Sequence, residues 1–134
     1  MRKLDHRTDL RPPDAEPRPT YTGQVSVTPV GHAEGAMRYS VVAFRPGART
    51  GWHTHDGVQV LVVTEGEGLI ANSSGDVIRG RAGVTVTIEP GEEHWHGATE
   101  ASGMTHVAVT IGESHYVRPV EYDEHATAQS AAET

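Results

Sequence analysis

Apolar and polar positions alternate with a period of two over several short stretches of this chain. No stretch of ten or more residues before the C-terminal tail repeats with the period of an amphipathic helix. Gln24-Val-Ser-Val-Thr alternates, Val84 to Ile88 reads Val/Thr/Val/Thr/Ile, and Met37 to Phe44 is rich in β-branched and aromatic residues. Val58 to Thr64 is nearly all apolar, as expected of a strand covered on both faces. Gly68 to Ala71 and Asp76 to Arg79 flank Asn72-Ser-Ser-Gly75, a hairpin turn by composition, and Met104 to Ile111 supplies a further strand. Gly31 to Gly35, Pro46-Gly47, Gly66, Gly80 to Gly83, Pro90-Gly91 and Gly112 punctuate these runs. About eight short strands with turns every 8–12 residues predict an all-β sandwich or barrel.

The flanks differ from this middle. Residues 1–20 are charged and Pro-rich (Arg11-Pro-Pro-Asp-Ala-Glu-Pro-Arg-Pro) and predict an arm that is flexible or draped over a partner. Residues 21–122 form the expected barrel. Residues 123–134 are small, polar and Ala-rich, and are expected to fray, with room for a short helix. The 134 residues suffice for one domain, and the 36% hydrophobic share agrees with flanks outside the core. A net charge of −7 argues against a nucleic-acid footprint, and the lack of cysteine excludes disulfides, thiolate ligands and a Cys nucleophile. No apolar run approaches the ~20 residues of a membrane span, and the N-terminus lacks a signal-peptide core, so the cytoplasm is the expected compartment.

Two segments carry the candidate chemistry. They are Gly47-Ala-Arg-Thr-Gly-Trp-His53-Thr-His55-Asp-Gly-Val-Gln59 and Pro90-Gly-Glu-Glu-His94-Trp-His96-Gly97. On a strand, even offsets share a face, so His53 and His55 point the same way, Gln59 keeps their parity, and His94 and His96 make a second pair. His106 stands mid-strand and shares a face with Ala108 and Thr110. Polar groups aimed into one small barrel need hydrogen bonds or a ligand, and a divalent metal satisfies several at once. Neutral imidazoles and an amide oxygen suit Mn, Fe, Co, Ni, Cu or Zn, whereas Mg and Ca prefer carboxylates. An amide at position 59 adds no charge, so the ion would keep its full Lewis acidity and favour anionic ligands. Trp52 and Trp95 have the opposite parity and are expected outside the pocket. Arg49 is compatible with either a structural ion pair or an anionic ligand.

These segments resemble the two motifs of the cupin superfamily: Gly47, His53, His55, Gln59 and Gly66 in the first, and Gly83, Pro90, Gly91 and His94 in the second. Gln59 departs from the Glu of many cupins. The blocks Pro-Gly-Ala-Arg-Thr-x-Trp-His-Thr-His, Pro-Gly-Glu-x-His-Trp-His-Gly-Ala and Met-Thr-His are most similar to the small manganese-dependent cupin hydroxynitrile lyases of bacteria. The resemblance implies an all-β, single-domain cupin, a small antiparallel β-barrel (double-stranded β-helix, or jelly roll), as a homodimer or higher homo-oligomer. It implies His53, His55, Gln59 and His94 as metal ligands and His96 and His106 as catalytic groups. Ser40, Val42 and Thr110 would line the substrate pocket. The implied cofactor is a divalent transition metal, Mn(II) first, with Fe(II), Ni(II), Co(II) or Zn(II) as alternatives. The implied reaction is cleavage and formation of an aromatic cyanohydrin. A metal-dependent dioxygenase acting on a small aromatic or diketone, and a non-catalytic binder of a small ligand, are the competing readings.

Overall fold

A computed structural model describes residues 1, 3–13, 18–33 and 37–132. Its strands are β1 (Tyr21–Thr22), β2 (Val25–Ala33), β3 (Met37–Phe44), β4 (Arg49–Thr50), β5 (Trp52–His55), β6 (Gln59–Asn72), β7 (Val77–Arg81), β8 (Thr85–Ile88), β9 (His94–Ala98), β10 (Met104–Ile111) and β11 (Ser114–Arg118), followed by helix α1 (Tyr122–Ala132). All pairings are antiparallel, in the order β1-β4-β9-β6-β10-β3-β2, with β7 and β8 on β6 and β11 on β5. The result is a nearly closed antiparallel β-barrel, one of the two architectures that the alternation predicts and the one that the resemblance implies.

Strand β6 joins the two halves. Its first part, from Gln59, pairs with β8 and β10, and its second part, from Glu67, pairs with β7 and β9. The sequence suggests two strands here, with Gly66 as a break. The structure has one strand of 14 residues. Gly66 adopts a φ of 72°, where a Cβ would run into the Gly103 carbonyl, so the ribbon turns a corner without losing its partners. Likewise β2 runs on through Pro29 to Ala33, with a register shift between Pro29 and Gly31.

Two apolar clusters fill the barrel. One comprises Val25, Val42, Phe44, Ala48, Val63, Ala98 and Met104, and the other Leu61, Ile70, Val86, Ile88 and Ala108. A third cluster lies outside, where Trp52, Leu69, Ala71, Trp95 and Val120 pack with Ala128 of α1. The polar tail is therefore helical and docked over much of its length. Glu124 reaches back to the Glu121 N–H at 3.1 Å and caps the first turn, where Asp123 and Glu124 also complement the helix dipole. The buried side of α1 consists of His125 and Ala128, too small a stripe to register as amphipathic periodicity. At the other end, Ser26 Oγ donates to the Arg11 carbonyl and Arg11 N–H to Thr28 Oγ1, which ties the arm to β2. Residues 14–17 of that arm lie outside the described residues.

Strand β9 approaches its neighbours closely. A Cβ on Gly97 would meet the Ala48 carbonyl and Arg49 Cβ at 2.5 Å. Gly97→Ala is therefore expected to lower stability by about 1–3 kcal/mol through overpacking against backbone, read as a lower urea midpoint at unchanged slope.

Candidate metal centre and cavity

The barrel opens into a cavity of about 310 Å³. His53 and His55 come from β5, Gln59 from the start of β6, and His94 and His96 from β9, so all five derive from three strands meeting at one end. Strand alternation places His94 and His96 on the cavity side and Trp95, only 1% exposed, on the outer side beneath α1. His53 pairs directly with His94 across β5 and β9.

Outer hydrogen bonds orient the rings. His53 Nδ1 lies 2.8 Å from the Gly51 carbonyl and His94 Nδ1 2.8 Å from the Glu92 carbonyl. Carbonyls only accept, so both Nδ1 atoms carry the proton and both Nε2 atoms present lone pairs. His55 Nδ1 lies 2.8 Å from Ser114 Oγ, and its Nε2 is buried without a partner. The Gln59 amide nitrogen donates to Thr110 Oγ1 at 2.8 Å, which turns Oε1 toward His94 Nε2 at 3.1 Å. That last contact sets one lone pair against another, an arrangement a cation between them would reconcile. Adjacent donors each about 2.1 Å from one ion would be about 3 Å apart, so the donor set fits a metal.

One nitrogen each of His53, His94 and His96 lies within 4.8 Å of the others, a three-histidine cluster able to bind a metal. His55 is close by, its ring centroid 4.9 Å from His53 and 5.2 Å from His94. His96 thus competes with His55 for membership of the cluster. His96 Nδ1 and His106 Nε2 are 3.0 Å apart, while His96 Nε2 and His106 Nδ1 are buried without partners. Ser40, Val42 and Thr110 line the cavity, together with Thr50 and Ala108. Arg49 does not: buried, it donates to the Val120 and Gly47 carbonyls and so anchors the segment leading into α1.

The cupin domain model matches residues 40–112, which contain every one of these donors. The chain belongs to the cupin family. Over 113 residues it is 40% identical to an (R)-mandelonitrile lyase of Granulicella tundricola, covering 83% of this cupin and 85% of that protein. A crystal structure of a cupin-like protein from Thermotoga maritima superposes with a TM-score of 0.81 at 29% identity, over 90% of this chain and 96% of the other. A polyketide cyclase from Streptomyces resistomycificus shares the fold, with a TM-score of 0.70 at 20% identity over 96% and 94% of the two chains. No helix among the described residues is long and apolar enough to cross a membrane.

Three features that support this cupin's site are supplied by the structure. The Glu92 backbone fixes the His94 ring, while its carboxylate accepts from Asn72 and the Glu89 N–H. Ser114, on β11, orients His55. His125, which sequence reasoning passes over as terminal, is fully buried, with Nε2 2.8 Å from the Ala98 carbonyl at the end of β9. A local pattern does not report partners as remote as Ser114 for His55 or Ala98 for His125.

Burial dominates the ionisation of the site. It pushes His53 down to about 4, with His94 adding to the effect and the Gly51 carbonyl opposing it. It likewise lowers His55, His94 and His106 to about 4, and His96 well below its ordinary value. The imidazoles are therefore neutral at pH 7, as metal ligation or general-base chemistry requires. In the unfolded chain they titrate near 6.5, so as pH falls the unfolded state takes up protons first. The metal-free protein is expected to hold constant stability in these groups above pH 7 and to lose it progressively from about 6.5 toward 4, checked by urea unfolding across that range.

Proposed function

We propose that this cupin is a metal-dependent lyase of the hydroxynitrile lyase type, cleaving and forming aromatic cyanohydrins. The observation that carries the reading is the contact between His96 Nδ1 and His106 Nε2, 3.0 Å apart beside the donor cluster. Its 40% identical relative named (R)-mandelonitrile lyase supports the reaction class. His53, His55, Gln59 and His94 would hold the ion, Mn(II) in the leading form of the proposal. When bound there, the ion supplies Lewis acidity that lowers the pKa of a substrate hydroxyl.

The remaining work falls to the protein. If His96 Nδ1–H donates to His106 Nε2, His96 Nε2 keeps a lone pair and His106 Nδ1 keeps a proton. One tautomer then provides both a base and a donor. His96 Nε2 takes the hydroxyl proton, the C–C bond breaks to give aldehyde and cyanide, and His106 Nδ1–H hydrogen-bonds the departing anion. The proton on His96 leaves with cyanide as HCN, which balances the reaction. Ser40 and Val42 shape the wall against which the aldehyde carbon and its substituent rest. Thr110 has a different part, because its hydroxyl is engaged with Gln59.

Elemental analysis combined with cyanide release from mandelonitrile tests the assignment. His53→Ala is expected to lose both metal and activity. His96→Ala should retain metal and lose turnover by about 10²–10⁴-fold. Loss of metal in the second variant would make His96 a ligand and remove it as the base. Oxygen uptake coupled to substrate loss, with no cyanide released, would replace the lyase by a dioxygenase.

Thr110→Val removes the acceptor that holds the Gln59 amide in place. It is expected to weaken metal binding by about 10–100-fold, measured by competition with a chelating dye, whereas Thr110→Ser should retain affinity.

A further inference from the structure

Arg38 stands at the mouth of the cavity; among the described residues it is the only Arg or Lys lining it, and none of the described carboxylates lines it. The rest of the wall is made of neutral polar, aromatic and aliphatic side chains and imidazoles. This pattern is unexpected in a chain whose net charge is −7. Arg38 makes no ion pair among the described residues. It is exposed on one side and held in place on the other, with Nη1 donating to the Gly112 carbonyl at 2.9 Å and Nη2 to Ser114 Oγ at 3.0 Å. Two of its five N–H groups are thereby used, and three remain without a partner among the described residues. Two acidic side chains, Asp56 and Glu113, cluster with His115, whose Nε2 lies 2.8 Å from Asp56 Oδ1. A guanidinium so fixed has already lost the side-chain freedom that weakens most exposed ion pairs, and its planar fork matches a carboxylate.

We propose that the cavity selects a small carboxylate-bearing substrate, with Arg38 as the residue that reads its negative charge. The anion enters past the Arg38 fork and pairs with its free N–H groups. The neutral remainder of the molecule then lies along Val42, Ala108 and the rings of Tyr21 and Tyr116. A volume of about 310 Å³ restricts the substrate to roughly the size of a phenyl-substituted hydroxy acid. A neutral cyanohydrin fits the same space but leaves Arg38 without a partner, so it would be an accepted substrate and not the one the site is built to prefer. The inference rests on this cavity being the substrate site and is independent of the cyanohydrin chemistry.

Mandelate and mandelamide separate charge from shape, since both carry the same hydroxyl and ring. Their affinities for the metal-loaded protein are to be measured by calorimetry in wild type, Arg38→Met and Arg38→Lys, with metal content and thermal unfolding recorded for each. Wild type should prefer mandelate. Arg38→Met should reduce that preference about tenfold, with mandelamide affinity unchanged, and Arg38→Lys should restore part of it. An equal preference in wild type and Arg38→Met, or no binding of either compound, would overturn the proposal. Absence of cyanide release alongside Arg38-dependent mandelate binding would remove the lyase reading alone.

Discussion

The structure is organised around an electrostatic conflict that its own groups do not resolve. Five imidazoles and one amide are gathered at the end of a small barrel, and outer hydrogen bonds turn several of their lone pairs inward. The contact of His94 Nε2 with Gln59 Oε1 at 3.1 Å is the clearest case, since neither atom has a proton to offer the other. Burial compounds the problem by lowering the affinity of these rings for protons, so protonation is a poor remedy near neutrality. A cation bound between these lone pairs would relieve the repulsion, and the cluster of His53, His94 and His96 could hold one.

Strand alternation is the device that makes the arrangement possible. Within β9, successive side chains serve opposite purposes: His94 and His96 face the cavity, and Trp95 between them is sealed by α1. Arg49 and His125 fasten the same region from behind, through the Val120 and Ala98 carbonyls. The rigidity of the donors thus depends on packing on the far side of the sheet, on groups that no substrate touches.

This division explains what could be read from the chain. Period-two alternation and the two His-x-His pairs reveal the strands, the facing of the imidazoles and the outward placement of both tryptophans, because parity is a local property. Gly66 is visible as a special position, but whether a glycine ends a strand or bends it depends on Gly103, which is remote in sequence. The sequence allows a short helix in the tail but expects it to fray, because its buried side is only His125 and Ala128, and Ala-rich polar sequence looks the same whether docked or frayed. The orientation of Gln59 by Thr110 and of His55 by Ser114 is set by partners 51 and 59 residues away. Arg49 offered an ion pair or an anionic ligand, and the structure gives it a third role, donating to the Val120 and Gly47 carbonyls.

The continuous passage of β6 through both halves of the barrel has a mechanical consequence. Gln59 begins this ribbon and Asn72 ends it, and between them it carries pairings with β7, β8, β9 and β10. Lengthening or shortening it by one residue would reverse the facing of everything beyond the change, so it behaves as a keel to which the other strands are set.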